Sequence, residues 1–246
     1  MKKTIALIGS AAAALMFAGV AHADNGGGYV GLSYSDGNPV DLNAWGVDGA
    51  FDLGSNIQLD AGYANIHDSA ADDYNVGGHF FSRGDKWLWG GYAGYERING
   101  IGGDVDEWTV AGQTQYYVDH TILSGNLSYS RAQVSGDDIN TYQIDGDARF
   151  FANDNLTFDV GLGYGHLDSS SSGDGGFLTY GGGAEWKPDG LPISLYGNIE
   201  GFDADGGGSG SAWTVGVRYN WGGSLSDRYR NGAGLSAPRG FLSRIF

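Results

Sequence analysis

The chain has 246 residues, with 29 Asp plus Glu against 13 Lys plus Arg and a formal net charge of −16. So acidic a chain repels phosphate backbones, which excludes nucleic acid as a partner. The absence of Cys excludes disulfides, thiolate metal sites and cysteine nucleophiles, while 7 Trp, 15 Tyr and 11 Phe supply the bulk for ordered burial that a disordered chain lacks, despite 46 Gly.

Residues 1–23 read as an export signal. Lys2 and Lys3 form the charged start, "TIALIGSAAAALMFAGV" is the apolar middle, and Ala21-His22-Ala23 is a small-x-small cleavage site. No later apolar run is long enough to span a membrane as a helix.

From Tyr29 onward apolar residues fall on every second position, the period of a strand with one greasy and one wet face. In "IQLDAGYAN", Ile57, Leu59, Ala61 and Tyr63 alternate with Gln58, Asp60, Gly62 and Ala64. "YQIDGDARFF" repeats the pattern from Tyr142, and in "LTFDVGLGYG" Leu156, Phe158, Val160, Leu162 and Tyr164 face away from Thr157, Asp159 and three glycines. The pattern predicts about twelve strands, at 29–35, 42–53, 57–67, 74–83, 86–97, 107–117, 121–132, 140–152, 156–167, 177–187, 192–202 and 212–221. Most are long enough for a tilted crossing of a bilayer, which takes about 9–11 residues.

Tight turns such as "GSN", "VDH", "NDN" and "PDGL" alternate along the chain with longer acidic Gly/Ser-rich links such as "DSAADDY" and "DSSSSGDGG". An even strand count places both termini at one end. Aromatic residues concentrate near strand ends on the greasy face (Trp45, Tyr63, Trp87, Trp89, Tyr95, Trp108, Tyr116, Tyr129, Tyr142, Tyr164, Trp186, Trp213 and Trp221), the distribution of interfacial girdles. The expected fold is an all-β, transmembrane, antiparallel up-and-down barrel over 24–221.

On this distributed pattern the chain resembles the bacterial outer-membrane β-barrel proteins, the small porin-like ones in particular. The resemblance implies a Gram-negative-type host, contact with outer-membrane lipid and lipopolysaccharide, and insertion by the barrel-assembly machinery. In that class the last strand carries the assembly signal, alternating apolar residues that finish on an aromatic, and Trp213, Val215, Val217, Tyr219 and Trp221 match it. The signal usually ends the chain, whereas here residues 222–246 follow.

Strand parity turns Asp48, Asp52, Asp60, Glu96, Asp145, Asp147, Asp159, Glu185 and Glu200 into the lumen, against Arg149, Lys187 and Arg218. Rings of acids favour cations in a pore; the alternative is a satisfied ion-pair network, because buried charges must pair. Mostly small inward residues, and links too short to fold in as a plug, favour passive diffusion of small solutes or ions. The alternatives are a non-conducting structural or adhesive barrel and an outer-membrane lipid hydrolase. For the hydrolase, His67 and His166 lie near Ser69 and Ser169, but no G-x-S-x-G elbow accompanies them. No enzyme activity, cofactor or resident metal is expected, and the loop aspartates read as solvated. The tail holds Arg228, Arg230, Arg239 and Arg244 against a single acid, Asp227. It is expected to be a disordered periplasmic appendage, with a basic gate near Asp52, Asp60 and Asp159, or contact with the cell-wall polymer, as alternatives.

Overall fold

In a computed structural model, the protein is described over residues 27–38, 42–54, 56–67, 71–100, 103–134, 136–169 and 173–239. The expected signal at 1–23, Ser69 and Arg244 lie outside the described residues.

Twelve strands form one closed barrel. They are β1 (Gly28–Asn38), β2 (Leu42–Asp52), β3 (Ile57–Ile66), β4 (Ala71–Arg83), β5 (Trp87–Asn99), β6 (Val105–Val118), β7 (Thr121–Val134), β8 (Asp137–Asn153), β9 (Leu156–Ser169), β10 (Gly173–Trp186), β11 (Ile193–Ala204) and β12 (Gly208–Trp221). Each strand pairs antiparallel with its neighbours in sequence, and β1 closes on β12 in a register running from Gly28 opposite Trp221 to Asn38 opposite Ser211. Closure leaves no unpaired edge, so every ladder group is satisfied within the wall. One end carries the tight turns, the start of β1 and the end of β12; the other carries the longer links.

Several strands run further toward the loop end than the side-chain alternation shows. The 17-residue β8 begins at Asp137 rather than 140, and β10 begins at Gly173 rather than 177. Beyond the apolar belt both faces of the wall are wet, so the ladder continues while the period-two signal fades.

Around the outside, large apolar side chains stand open: Leu127, Trp108 and Val160 are 66%, 64% and 64% exposed. Aromatic pairs facing one another across hairpins mark both ends of this belt. Toward the loop end these are Tyr34–Trp45, Tyr63–Tyr74, Tyr95–Trp108 and Tyr129–Tyr142, with ring centroids 4.6–5.2 Å apart. Toward the turn end Trp87 stacks on Trp89 at 5.3 Å and meets Tyr116 at 4.4 Å. At the loop-end girdle the tyrosine hydroxyls donate upward, Tyr63 to Asp72 and Tyr129 to Asn140, both at 2.7 Å, where polar partners resume.

The interior is not uniformly polar. Phe81, Leu88, Tyr117, Ile122 and Phe151 point inward at the turn end and form a buried cluster with Leu225, Tyr229 and Leu235. The last three belong to the C-terminal segment, for which the sequence predicts disorder. Over 222–239 that expectation is corrected: the segment folds back into the barrel.

Candidate functional site: an occupied lumen

Local sequence turns the chain inward after β12. Gly222 and Gly223 both adopt positive φ (89° and 112°), a reversal at low steric cost only for glycine. Ser224 then caps a short helix, α1 (Leu225–Asn231), through a capping box with Asp227. Leu225, Arg228 and Tyr229, at i, i+3 and i+4, share one buried face. The helix stops at Gly232, where the backbone passes so close to Gly27 that an added Cβ would lie 2.8 Å from the Gly27 Cα.

Wall residues hold the segment along its length. Ser226 N–H donates to Asp154 O at 2.9 Å in a tight turn, and Ala233 N–H to Gly27 O at 3.0 Å. Higher in the lumen Gln58 clasps Leu235 from both sides, its Nε2 donating to Leu235 O at 2.8 Å and its Oε1 accepting Leu235 N–H at 3.0 Å. Gln113 Nε2 reaches Ser236 O at 3.0 Å, and Arg83 Nη2 reaches Gly232 O at 3.2 Å.

The densest chemistry lies around Glu185, which is 3% exposed. Its carboxylate accepts two bonds from Arg228, Nη1 to Oε1 at 2.9 Å and Nη2 to Oε2 at 2.6 Å. It also accepts from Arg218 Nη1 (2.9 Å), Tyr229 Oη (2.9 Å) and Ser194 Oγ (2.6 Å). Asn220 completes the pocket, accepting from Arg228 Nη1 and donating to Ser194 Oγ. Aromatic faces cover the two guanidiniums: Arg218 lies 3.9 Å from the Tyr196 ring centroid, and Arg228 lies 4.4 Å from that of Tyr229.

The other residues singled out by parity divide among smaller groups. Asp48 lies 3.7 Å from Arg218 Nη2, and Asp159 lies 3.4 Å from Arg149 Nη2. Asp147 neighbours Arg149 and bonds Ser124. Asp145 accepts from Gln143 Nε2 at 2.5 Å. Asp52 accepts the Gly54 N–H at 2.9 Å, with Arg83 Nη1 3.9 Å away. Asp60 accepts from Gln58 and pairs with His79, whose other ring nitrogen lies 2.6 Å from Gln113 Oε1. Glu200 lies 3.8 Å from Arg239 Nη1, a cation that also feels Glu96 and Asp73. Lys187 is buried at the β10–β11 turn, where its N–H donates to Asn155 O at 2.9 Å. Among the described residues the tail's arginines thus reach Glu185 (Arg228), the Asp119 carbonyl (Arg230) and Glu200 (Arg239), not the suggested Asp52, Asp60 and Asp159.

On the outer wall Trp213, Val215, Val217 and Tyr219 of β12 are exposed, and Trp221 packs against Phe51 at 5.4 Å. His67, just past the end of β3, and His166 on β9 are both exposed, and those strands lie six apart around the barrel. Ser169 is buried and three residues from His166 along β9, so parity puts it on the opposite face. Among the described residues no three His, Cys, Asp or Glu side chains converge as a metal site.

Parity reasoning missed the residues that receive the tail. Gln58, Gln113, Asn220 and Ser194 are neutral and carry no charge signal, and the inward Phe81, Leu88, Ile122 and Phe151 interrupt the wet face. Their apolar character on the wet face, all at the turn end, was the available signal for a lumenal occupant.

Solved structures with the same architecture include two porins. A KdgM porin in complex with disordered oligogalacturonate superposes with a TM-score of 0.56 at 12% identity, covering 78% of this chain and 99% of that one. The NanC porin superposes with a TM-score of 0.59 at 12% identity, covering 77% of this chain and 98% of that one. At that identity the likeness establishes the barrel fold alone. No family model matches the chain, and no curated protein matches it in sequence.

Proposed function

We propose that the protein is a porin-like channel of a bacterial outer membrane that passes small solutes or ions. The observation carrying this reading is the pairing of an exposed apolar belt, bounded by aromatic girdles, with an inner wall of charged and amide side chains. The outer face is suited to hydrocarbon, and the inner face to water and hydrated solutes. The likeness to the KdgM and NanC porins supports it.

Lumenal acids outnumber lumenal bases, so the channel is expected to prefer cations weakly. Assembly by the barrel-insertion machinery through the β12 signal, a surrounding of lipid and lipopolysaccharide, and export on the signal at 1–23 belong to the same reading. The tail's occupation of the turn end favours a second reading, a permanently filled structural barrel. Planar-bilayer recording of the purified full chain decides between them. Discrete conductance steps with a cation-directed reversal potential in a KCl gradient support the channel. Silence in the wild type and in variants with a loosened tail supports the filled barrel.

A further inference from the structure

Most charged or reactive clusters outside the tail are occupied by wall partners. His79 has both ring nitrogens engaged by Asp60 and Gln113, and no hydroxyl nucleophile is bonded to it. On the outer rim Arg97 pairs with Asp104 and Asp106, and Arg131 with Asp138. The pocket around Glu185 differs, because part of its ligand set comes from a segment that the barrel does not need for closure.

We propose that this pocket is a guanidinium-binding site, and that the chain's own Arg228 seats residues 224–239 in it as a displaceable plug. The proposal rests on the channel reading above and adds a state in which the channel is shut by its own C-terminal segment.

The pocket has the chemistry of a guanidinium receptor. Glu185 offers two parallel acceptor oxygens, Asn220 Oδ1 a third, and from β1 the Tyr29 ring lies 4.9 Å from the guanidinium carbon. A planar fork fits such a set, and an ammonium does not. Departure of Arg228 does not strand the carboxylate, because Arg218 Nη1 and Ser194 Oγ stay bonded to Glu185 from the wall itself. The receptor is therefore viable empty, unlike an ordinary buried ion pair that leaves a lone charge when broken.

The rest of the seat has the same character. Every strand ladder, including the β1–β12 seam, is complete without residues 222–239. The segment joins the barrel through two glycines at positive φ, a natural pivot. Above the helix its backbone is held by the side chains of Gln58 and Gln113, contacts that water can replace. Only Leu225, Tyr229 and Leu235 add apolar burial in the main cluster. Covalent attachment keeps the local concentration of the plug high, on the order of millimolar, so modest contacts suffice to keep it seated.

A tether tests the proposal in the full chain. The chain has no native Cys. The Ser226 N–H to Asp154 O bond of 2.9 Å brings those two backbones within disulfide reach. In a Ser226→Cys/Asp154→Cys variant the oxidised protein is expected to stay shut in planar bilayers. Added reductant is expected to restore wild-type openings. Arg228→Leu in the full chain is expected to raise the open fraction at least about tenfold, the scale for losing a hydrogen bond to a charged group. Unaltered heat-modifiable migration on gels would confirm that the variant barrel is intact; if it is not, the oxidised and reduced tether alone decide. Equal conductance in wild type, oxidised tether and Arg228→Leu overturns the plug and leaves the channel standing. Silence in every form overturns both and makes the segment a fixed filling.

Discussion

Glu185 sits where four side chains, Ser194, Arg218, Arg228 and Tyr229, converge on one carboxylate. Neutralising it leaves two guanidiniums facing each other in a buried pocket. Glu185→Gln is therefore expected to cost about 3–5 kcal/mol, the range for breaking a buried pair from one side. The loss should appear as a lower urea midpoint in lipid vesicles and as faster tryptic cleavage at Arg230 than in wild type. Gly232→Ala separates the seat from the barrel. Its Cβ meets Gly27 backbone, so it should expose Arg230 to trypsin while changing the barrel's unfolding free energy by less than about 0.5 kcal/mol. The sequence makes the Ser224–Asp227 capping box visible, but seven residues are too few to show a helical period. Nor does it say that Arg228 meets Glu185, because that contact joins positions 43 residues apart through the closed barrel.

Each strand carries its own orientation in the alternation of its side chains, which is why the barrel was legible from sequence and the extension of β8 to Asp137 was not. Wet on both faces, that extension has no contrast to display. The links gave a second legible feature, tight at one end and long at the other. What a strand-by-strand reading could not supply is what fills the lumen, since neither the glutamine clasp nor the inward Phe151 follows from the period. The element-scale test concerns the solvent outside. Val160 on β9 is 64% exposed, midway between the two girdles. Val160→Arg should destabilise the barrel by about 2–4 kcal/mol in vesicles if that face meets hydrocarbon. A cost below about 0.5 kcal/mol would mean that the belt meets water or another protein.

At the scale of the whole molecule, two charge distributions act on a passing ion. The wall carries more acids than bases, while the tail brings Arg228 beside Glu185 at the turn end of the lumen and Arg239 beside Glu200 toward the loop end. A seated tail therefore offsets part of the field that would attract cations, besides narrowing the path. It follows that ion preference and plug position are coupled. In the full chain, openings of Arg228→Leu should be more cation-selective than those of wild type, because the loosened tail no longer lines the path with guanidinium charge. Adding Glu200→Gln to that variant should lower the preference again, since Glu200 faces the lumen beside Arg239 and is no longer offset once the tail moves. Reversal potentials measured across a tenfold KCl gradient check both steps. If selectivity is the same in wild type and Arg228→Leu while the open fraction differs, the tail leaves the path entirely in every open state. It would then act on access to the lumen and not on the field inside it.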